Sequence, residues 1–209
     1  MKSDQKLVPH RKAGKRKLPR IVVMTDAARA PDPIEALNRA PRGAAVIYRA
    51  YNIRPRRTEL ARLGKLARRK GVHLLIAGDL LAGASPGIGG LHLPEHVVRQ
   101  STDRCFRRRP RPEFLITAAA HSESAVIAAA RAGADAVFIS PVFATQSHPG
   151  ARPLGVVRFA QLAAKARARG LAVYALGGIT GKAAEQRLSG TGIAGIAGIG
   201  LGAKQKERA

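Results

Sequence analysis

After residue 20 the chain alternates short apolar runs with longer amphipathic stretches. The runs are 21–24, 44–48, 72–76, 90–93, 114–117, 136–139, 172–176 and 193–199, and most are apolar at nearly every position. A strand wet on one face alternates apolar with polar. A strand buried on both faces, as in a parallel sheet under helices, does not. Between the runs, 58–70 places Leu60, Leu63, Leu66 and Ala67 on one face with basic residues opposite. The stretch 122–132 opens on a capping serine and stops at Gly133, 156–169 stops at Gly170, and 182–188 stops near Gly190. Two connections are weak: 80–89, rich in glycine and carrying Pro86, and the basic tail after the glycine-rich last strand, which has little helix signal. Eight strands alternating with helices predict an α/β fold, a (β/α)8 TIM barrel in one domain. The competing open doubly wound sheet lacks its usual support, because no GxGxxG follows the first strand.

Two strand ends carry the chemistry. The sixth run leads into Ser140-Pro141-Val142-Phe143-Ala144-Thr145-Gln146-Ser147-His148-Pro149-Gly150, a loop of small residues with short hydrogen-bonding side chains. The seventh leads into Gly177-Gly178-Ile179, where bare backbone N–H groups suit a phosphate. Both point to an anionic ligand at the end of the barrel where strands finish.

Composition changes this picture little and charge more. The 209 residues are 45% hydrophobic with 4% aromatics and no Trp, which suits tightly packed helix–strand layers. A lone Cys105 excludes an internal disulfide and makes a reducing cytoplasm the expected compartment. No apolar run approaches the ~18 residues a membrane span needs. The net charge is +24, of which residues 1–20 supply +7. They are expected to form a flexible basic leader, followed by a barrel over 21–203 and a basic tail at 204–209. Such charge attracts polyanions, and nucleic acid could act through the leader or the Arg104–Arg111 segment. The lack of interleaved aromatics and of any nucleic-acid motif argues against that reading.

The ordered set Ser140-Pro141-Val142-Phe143-x-Thr145-x-Ser147, Leu176-Gly177-Gly178-Ile179 and Gly195-Ile196-Ala197 resembles the thiamine phosphate synthase and thiazole tautomerase superfamily. Met24-Thr25-Asp26, Tyr48-Arg49, Gly90-Leu91-His92-Leu93 and Ala120-His121-Ser122 support it in order and spacing over about residues 20–202. The resemblance implies a barrel that joins a pyrimidine methyl diphosphate to a thiazole phosphate and releases pyrophosphate, with Mg²⁺ at the diphosphate. Carried over, Arg49 would contact the diphosphate, Thr145 and Ser147 the phosphate side of the thiazole, and Gly177, Gly178 and Gly200 its phosphate cup.

The chain departs from that pattern on the diphosphate side. Ile47 and Tyr51 replace the Gln and Lys around Arg49, Ala77-Gly78 replace an Asn-Asp pair, and Val97 replaces a second acidic metal ligand. His148 stands where a Lys is usual. Asp79 and Glu95 are the carboxylates left to hold Mg²⁺, and without charge neutralisation a diphosphate is a poor leaving group. His148 and His121 are the candidate catalytic groups, because histidine ordinarily changes charge near neutral pH. His92 reads as a core-edge residue holding its strand. The main expectation is therefore the coupling reaction. A metal-independent thiazole tautomerase using a histidine base, and a non-catalytic phosphate-binding barrel, stand as alternatives.

Overall fold

The computed structural model describes residues 18–50, 55–78, 82–102, 105–106, 109–145, 150 and 152–201. Eight parallel strands close into a ring in chain order: β1 (Ile21–Met24), β2 (Ala45–Arg49), β3 (His73–Ala77), β4 (Gly90–Leu93), β5 (Leu115–Ala120), β6 (Ala136–Ile139), β7 (Ala172–Leu176) and β8 (Gly195–Gly198). The ring closes where β8 pairs with β1, Ile196 opposite Ile21 and Ala197 opposite Val22. Six α-helices pack outside among the described residues: α1 (Pro33–Arg39), α2 (Arg57–Lys70), α3 (Glu95–Gln100), α4 (Glu123–Ala132), α5 (Gly155–Ala168) and α6 (Gly181–Gln186). A short 3₁₀ turn, Ala82–Ala84, stands in the glycine-rich connection between β3 and β4. No helix among the described residues is long and apolar enough to cross a membrane.

The continuous apolar runs have the cause their pattern implies, since each strand faces two cores. Val23, Val46, Leu74, Ile76, Ile116, Val137 and Val173 point outward and join Leu60, Leu63, Val126 and Phe159 from the helices. The alternate positions, Val22, Met24, Ala45, Ile47, Leu75, Leu115, Phe138 and Tyr174 among them, fill the barrel itself. There the Phe138 and Tyr174 rings stack at 4.7 Å, and His92 meets the Phe138 ring edge-on at 5.0 Å.

Two short helices carried no clear signal in the apolar pattern. The seven-residue α1 is started by Asp32, whose carboxylate accepts from the Ile34 N–H at 2.8 Å, with Pro33 behind it. The six-residue α3 begins after Pro94 without a side-chain cap.

Residues 18–20 cross the end of the barrel where the strands begin. Leu18 packs onto the interior cluster, the Ile196 N–H donates to the Arg20 carbonyl, and the Tyr174 hydroxyl donates to the Pro19 carbonyl at 2.6 Å. Burial pushes the Tyr174 phenol above its ordinary value, so it stays a donor. Tyr174→Phe leaves that carbonyl unpaired and should lower stability by about 1–2 kcal/mol in urea unfolding. No loss would mean that residues 18–20 do not close the barrel. Beside this end, Asp135 accepts from the Ile116 N–H at 2.7 Å and from Arg109 at 3.1 Å, which fixes the start of β6 against β5.

Candidate active site

Of the polar side chains singled out from sequence, Arg49, Glu95, His121 and Thr145 are described and stand at or just beyond the strand ends, at the opposite rim. At the β1–β2 corner, the buried Thr25 hydroxyl accepts from the Arg49 N–H at 2.8 Å, and the Arg49 guanidinium lies 3.4 Å from the Asp26 carboxylate. Asp26 also accepts from the Ala28 and Arg29 N–H groups at 3.3 and 3.2 Å. Burial alone would raise its carboxyl, but the Arg29 backbone and side-chain hydrogen bonds and the Ala28 N–H outweigh it, and Asp26 titrates below the ordinary carboxylate range. The corner thus presents a positioned guanidinium at the strand ends, suited to an anion.

His92 projects from β4 into the barrel and is 2% exposed. Its Nδ1 lies 3.0 Å from the Thr117 hydroxyl, and that hydroxyl donates to the Leu91 carbonyl at 3.2 Å. A hydroxyl has one proton, so toward His92 it accepts, and Nδ1 carries the hydrogen. Burial, and after it the charge of Arg49, depress the imidazole to about 3. His92 is therefore a neutral ring with Nε2 bare.

His121 follows β5 directly and is exposed. Its Nδ1 lies 2.9 Å from the Ser140 carbonyl and 3.2 Å from the Ser140 hydroxyl. A carbonyl only accepts, so Nδ1 again carries a hydrogen. The His121 backbone N–H donates to Glu95 Oε2 at 2.9 Å, while Arg99 donates to Glu95 Oε1 at 2.7 Å and to the Ser122 and Ser124 hydroxyls. Both oxygens of Glu95 are thus engaged in fixing the start of α3 and α4 around His121. Among the described residues no group of three His, Cys, Asp or Glu side chains is placed to hold a metal. With Ala77-Gly78 and Val97 lacking carboxylates, the described donor set does not fit Mg²⁺.

The rim after β6 and β7 is built by two loops tied together. The Val142 N–H donates to the Leu176 carbonyl at 3.0 Å, and the Phe143 N–H to the Gly177 carbonyl at 3.1 Å. Gly177 and Gly178 have φ of 96° and 68°. A Cβ on Gly178 would fall 2.4 Å from the Ala144 carbonyl oxygen, so the glycine lets the loops touch backbone to backbone. The Arg187 guanidinium covers the Phe143 ring at 4.7 Å. The N–H groups of Gly178, Ile179 and Gly200 donate to no protein acceptor among the described residues, and a Cβ on Gly200 would meet nothing within 4 Å. Thr145 sits half-buried on the adjoining loop. Ser147, His148 and Asp79 lie outside the described residues.

Thr25, Asp26, Thr117 and Ser140 are the polar residues to which sequence reasoning assigned no role. Each acts through a partner about twenty positions away, on a neighbouring strand. A polar residue at a strand end was the one available hint.

A closed eight-stranded parallel ring with a guanidinium, a histidine and two adjacent glycine loops at its C-terminal rim defines a (β/α)8 barrel. Residues 21–201 match the family described as thiamine monophosphate synthase, and the chain belongs to that family. A relative from Aquifex aeolicus (strain VF5), provisionally named thiamine-phosphate synthase 2, is 38% identical over 112 residues, covering 54% of this chain and 56% of that protein. The thiamine-phosphate synthase of Methanoregula boonei is 34% identical over 126 residues, covering 58% and 56%. The match thus spans about half the length of each curated relative. A thiamine phosphate pyrophosphorylase from Pyrococcus furiosus shares the fold, with a TM-score of 0.65 at 22% identity over 88% of this chain and 86% of that one. Deoxyribose phosphate aldolase from Aeropyrum pernix shares it at 0.61 and 18%, over 86% and 85%.

Proposed function

We propose that the rim binds a thiazole phosphate and couples it to a pyrimidine methyl diphosphate, giving thiamine phosphate and pyrophosphate. Family membership supports the reaction class, and the observation that carries the ligand is the β7–β8 cradle, where the Gly178, Ile179 and Gly200 N–H groups have no protein acceptor among the described residues. Such N–H groups stabilise an anion and need little reorganisation to do so. Thr145 supplies a hydroxyl beside them, and Ser147 is proposed to add a second. Across the rim, Arg49 held by Thr25 and Asp26 faces the diphosphate. In the coupling, the thiazole nitrogen attacks the methylene carbon as the carbon–oxygen bond to the diphosphate breaks, and pyrophosphate leaves with the electron pair. The chain's part is to align nitrogen and carbon and to meet the departing charge with Arg49. No step is assigned to Mg²⁺, because the described carboxylates do not form a site for it. The exposed free Cys105 fits work in a reducing cytoplasm.

A second reading, a thiazole tautomerase, is favoured by one observation. His121 Nδ1–H is tied to the Ser140 carbonyl, so Nε2 can take a proton from one ring carbon and return it to another. His148 is the other candidate for that role. One assay separates the two. The full chain with both substrates, with and without Mg²⁺, should release pyrophosphate and form thiamine phosphate. None at high enzyme concentration would sink the coupling reading. Tautomerase activity would instead persist in EDTA and fall about 10²- to 10⁴-fold in His121→Ala. If it is insensitive to that change, His121 is not the base.

A further inference from the structure

Judged from sequence, the cations are scattered, but the fold gathers five of them on the outer face of α2. Arg57, Arg62, Lys65, Arg68 and Arg69 are all exposed, while Leu60, Leu63 and Ala67 on the opposite face are buried against the barrel. At 100° per residue the five lie within roughly 140° of the helix circumference, along about 18 Å of its length. None of them has an acidic or carbonyl partner among the described residues. Several cations on the other helices are engaged, Arg39 with Glu35, Arg99 with Glu95, Lys165 with Glu123 and Arg167 with the Thr191 carbonyl, and the exposed Arg158 on α5 and Lys182 on α6 stand singly rather than in a row.

Local helix physics explains only part of the stripe. Arg68 and Arg69 stand in the last turn, where a cation complements the helix dipole. Arg57 stands in the first turn, where a cation opposes it. Arg62, Lys65, Arg68 and Arg69 also make like-charge neighbours at spacings of three and four, which destabilise an isolated helix.

We propose that the outer face of α2 is a docking surface for the phosphate backbone of nucleic acid, read without regard to sequence. A membrane fits poorly, because interfacial helices insert an apolar face and that of α2 is already buried. The one large exposed hydrophobic among the described residues is Val157, on α5. A protein partner would ordinarily meet an apolar or aromatic centre, and this face has none. A row of cations with no apolar centre matches a regular array of phosphates, whose binding rests on counterion release.

The test is fluorescence anisotropy of the full chain with a labelled oligouridine of roughly 20 nucleotides, from about 50 to 200 mM salt. Two full-length variants are compared: one with the five α2 cations changed to Gln, and one with the seven Lys and Arg of residues 1–17 changed to Gln. The α2 variant should bind at least about tenfold more weakly, and its log–log salt slope should fall by about 3–4. Its circular dichroism and melting temperature should match the parent. Four results would overturn the proposal: no binding by the parent, unchanged affinity in the α2 variant, loss confined to the leader variant, or equal affinity of the parent for anionic vesicles.

Discussion

Gly178→Ala should unfold the rim loops after β6 and β7 while leaving the rest of the barrel folded. The residue sits at φ 68°, where an L side chain costs about 1–2 kcal/mol. The added Cβ would also lie 2.4 Å from the Ala144 carbonyl oxygen and 2.7 Å from Phe143 Cβ. The first of these is backbone and cannot rotate aside, so the loop after β6 must move as a unit. Overpacking of this kind costs a further 1–3 kcal/mol or so. The movement would stretch the Val142 and Phe143 hydrogen bonds to Leu176 and Gly177 and shift Thr145, the residue after Ala144. Stability should fall by about 2–5 kcal/mol in urea unfolding, and protection of the melting temperature by inorganic phosphate should disappear. Gly200→Ala is the matched control, since its Cβ meets nothing within 4 Å. It should leave stability within about 0.5 kcal/mol of the parent and weaken only the phosphate response. If Gly178→Ala melts with the parent, the loops do not depend on that contact.

The strands were legible because burial on both faces leaves an unbroken apolar run, and every run overlaps a strand, with ends within three residues of it. The helices α1 and α3 were not, because seven and six residues give too few turns for periodicity to show. The glycines at 177 and 178 were legible as a strand end fit for phosphate. Their second duty, admitting the Pro141–Ala144 backbone, was not, since it depends on a contact between loops about 35 residues apart. Glu95 could be read as a carboxylate at a strand rim and so as a metal candidate. Its engagement by the His121 N–H joins residues 26 apart, and only the i,i+4 partner Arg99 was visible locally. In the same way Arg49 was legible as a rim cation, whereas Thr25 and Asp26, which orient it, act from across the β1–β2 ladder. Residue type at a strand end showed which groups could do chemistry; the pairing of neighbouring strands decides which are aimed and which are engaged.

His92 should make the acid side of the stability curve steep. The folded ring titrates at about 3 because of burial and, after it, the charge of Arg49, whereas the unfolded chain holds an ordinary imidazole near 6.5. Between those values the unfolded state binds a proton that the folded state refuses. Unfolding free energy therefore rises with pH across the window and is lost as pH falls from about 6.5 toward 3. The slope deep in the window is about 1.4 kcal/mol per pH unit, and the loss stops growing only when the folded ring itself protonates. Protonation there would also set a second cation beside Arg49 at the rim. His92→Asn keeps a donor toward Thr117 in a side chain that does not titrate. At pH 7 it should be less stable than the parent, because it leaves a void beside Phe138. The deficit should shrink and then reverse toward pH 4. Urea midpoints at pH 7, 6, 5 and 4 for both proteins measure this directly, and the carboxylates they share cancel in the difference. Parallel curves would mean that His92 protonates as readily folded as unfolded. A closing gap would establish His92 as a ring kept neutral by the barrel at pH 7.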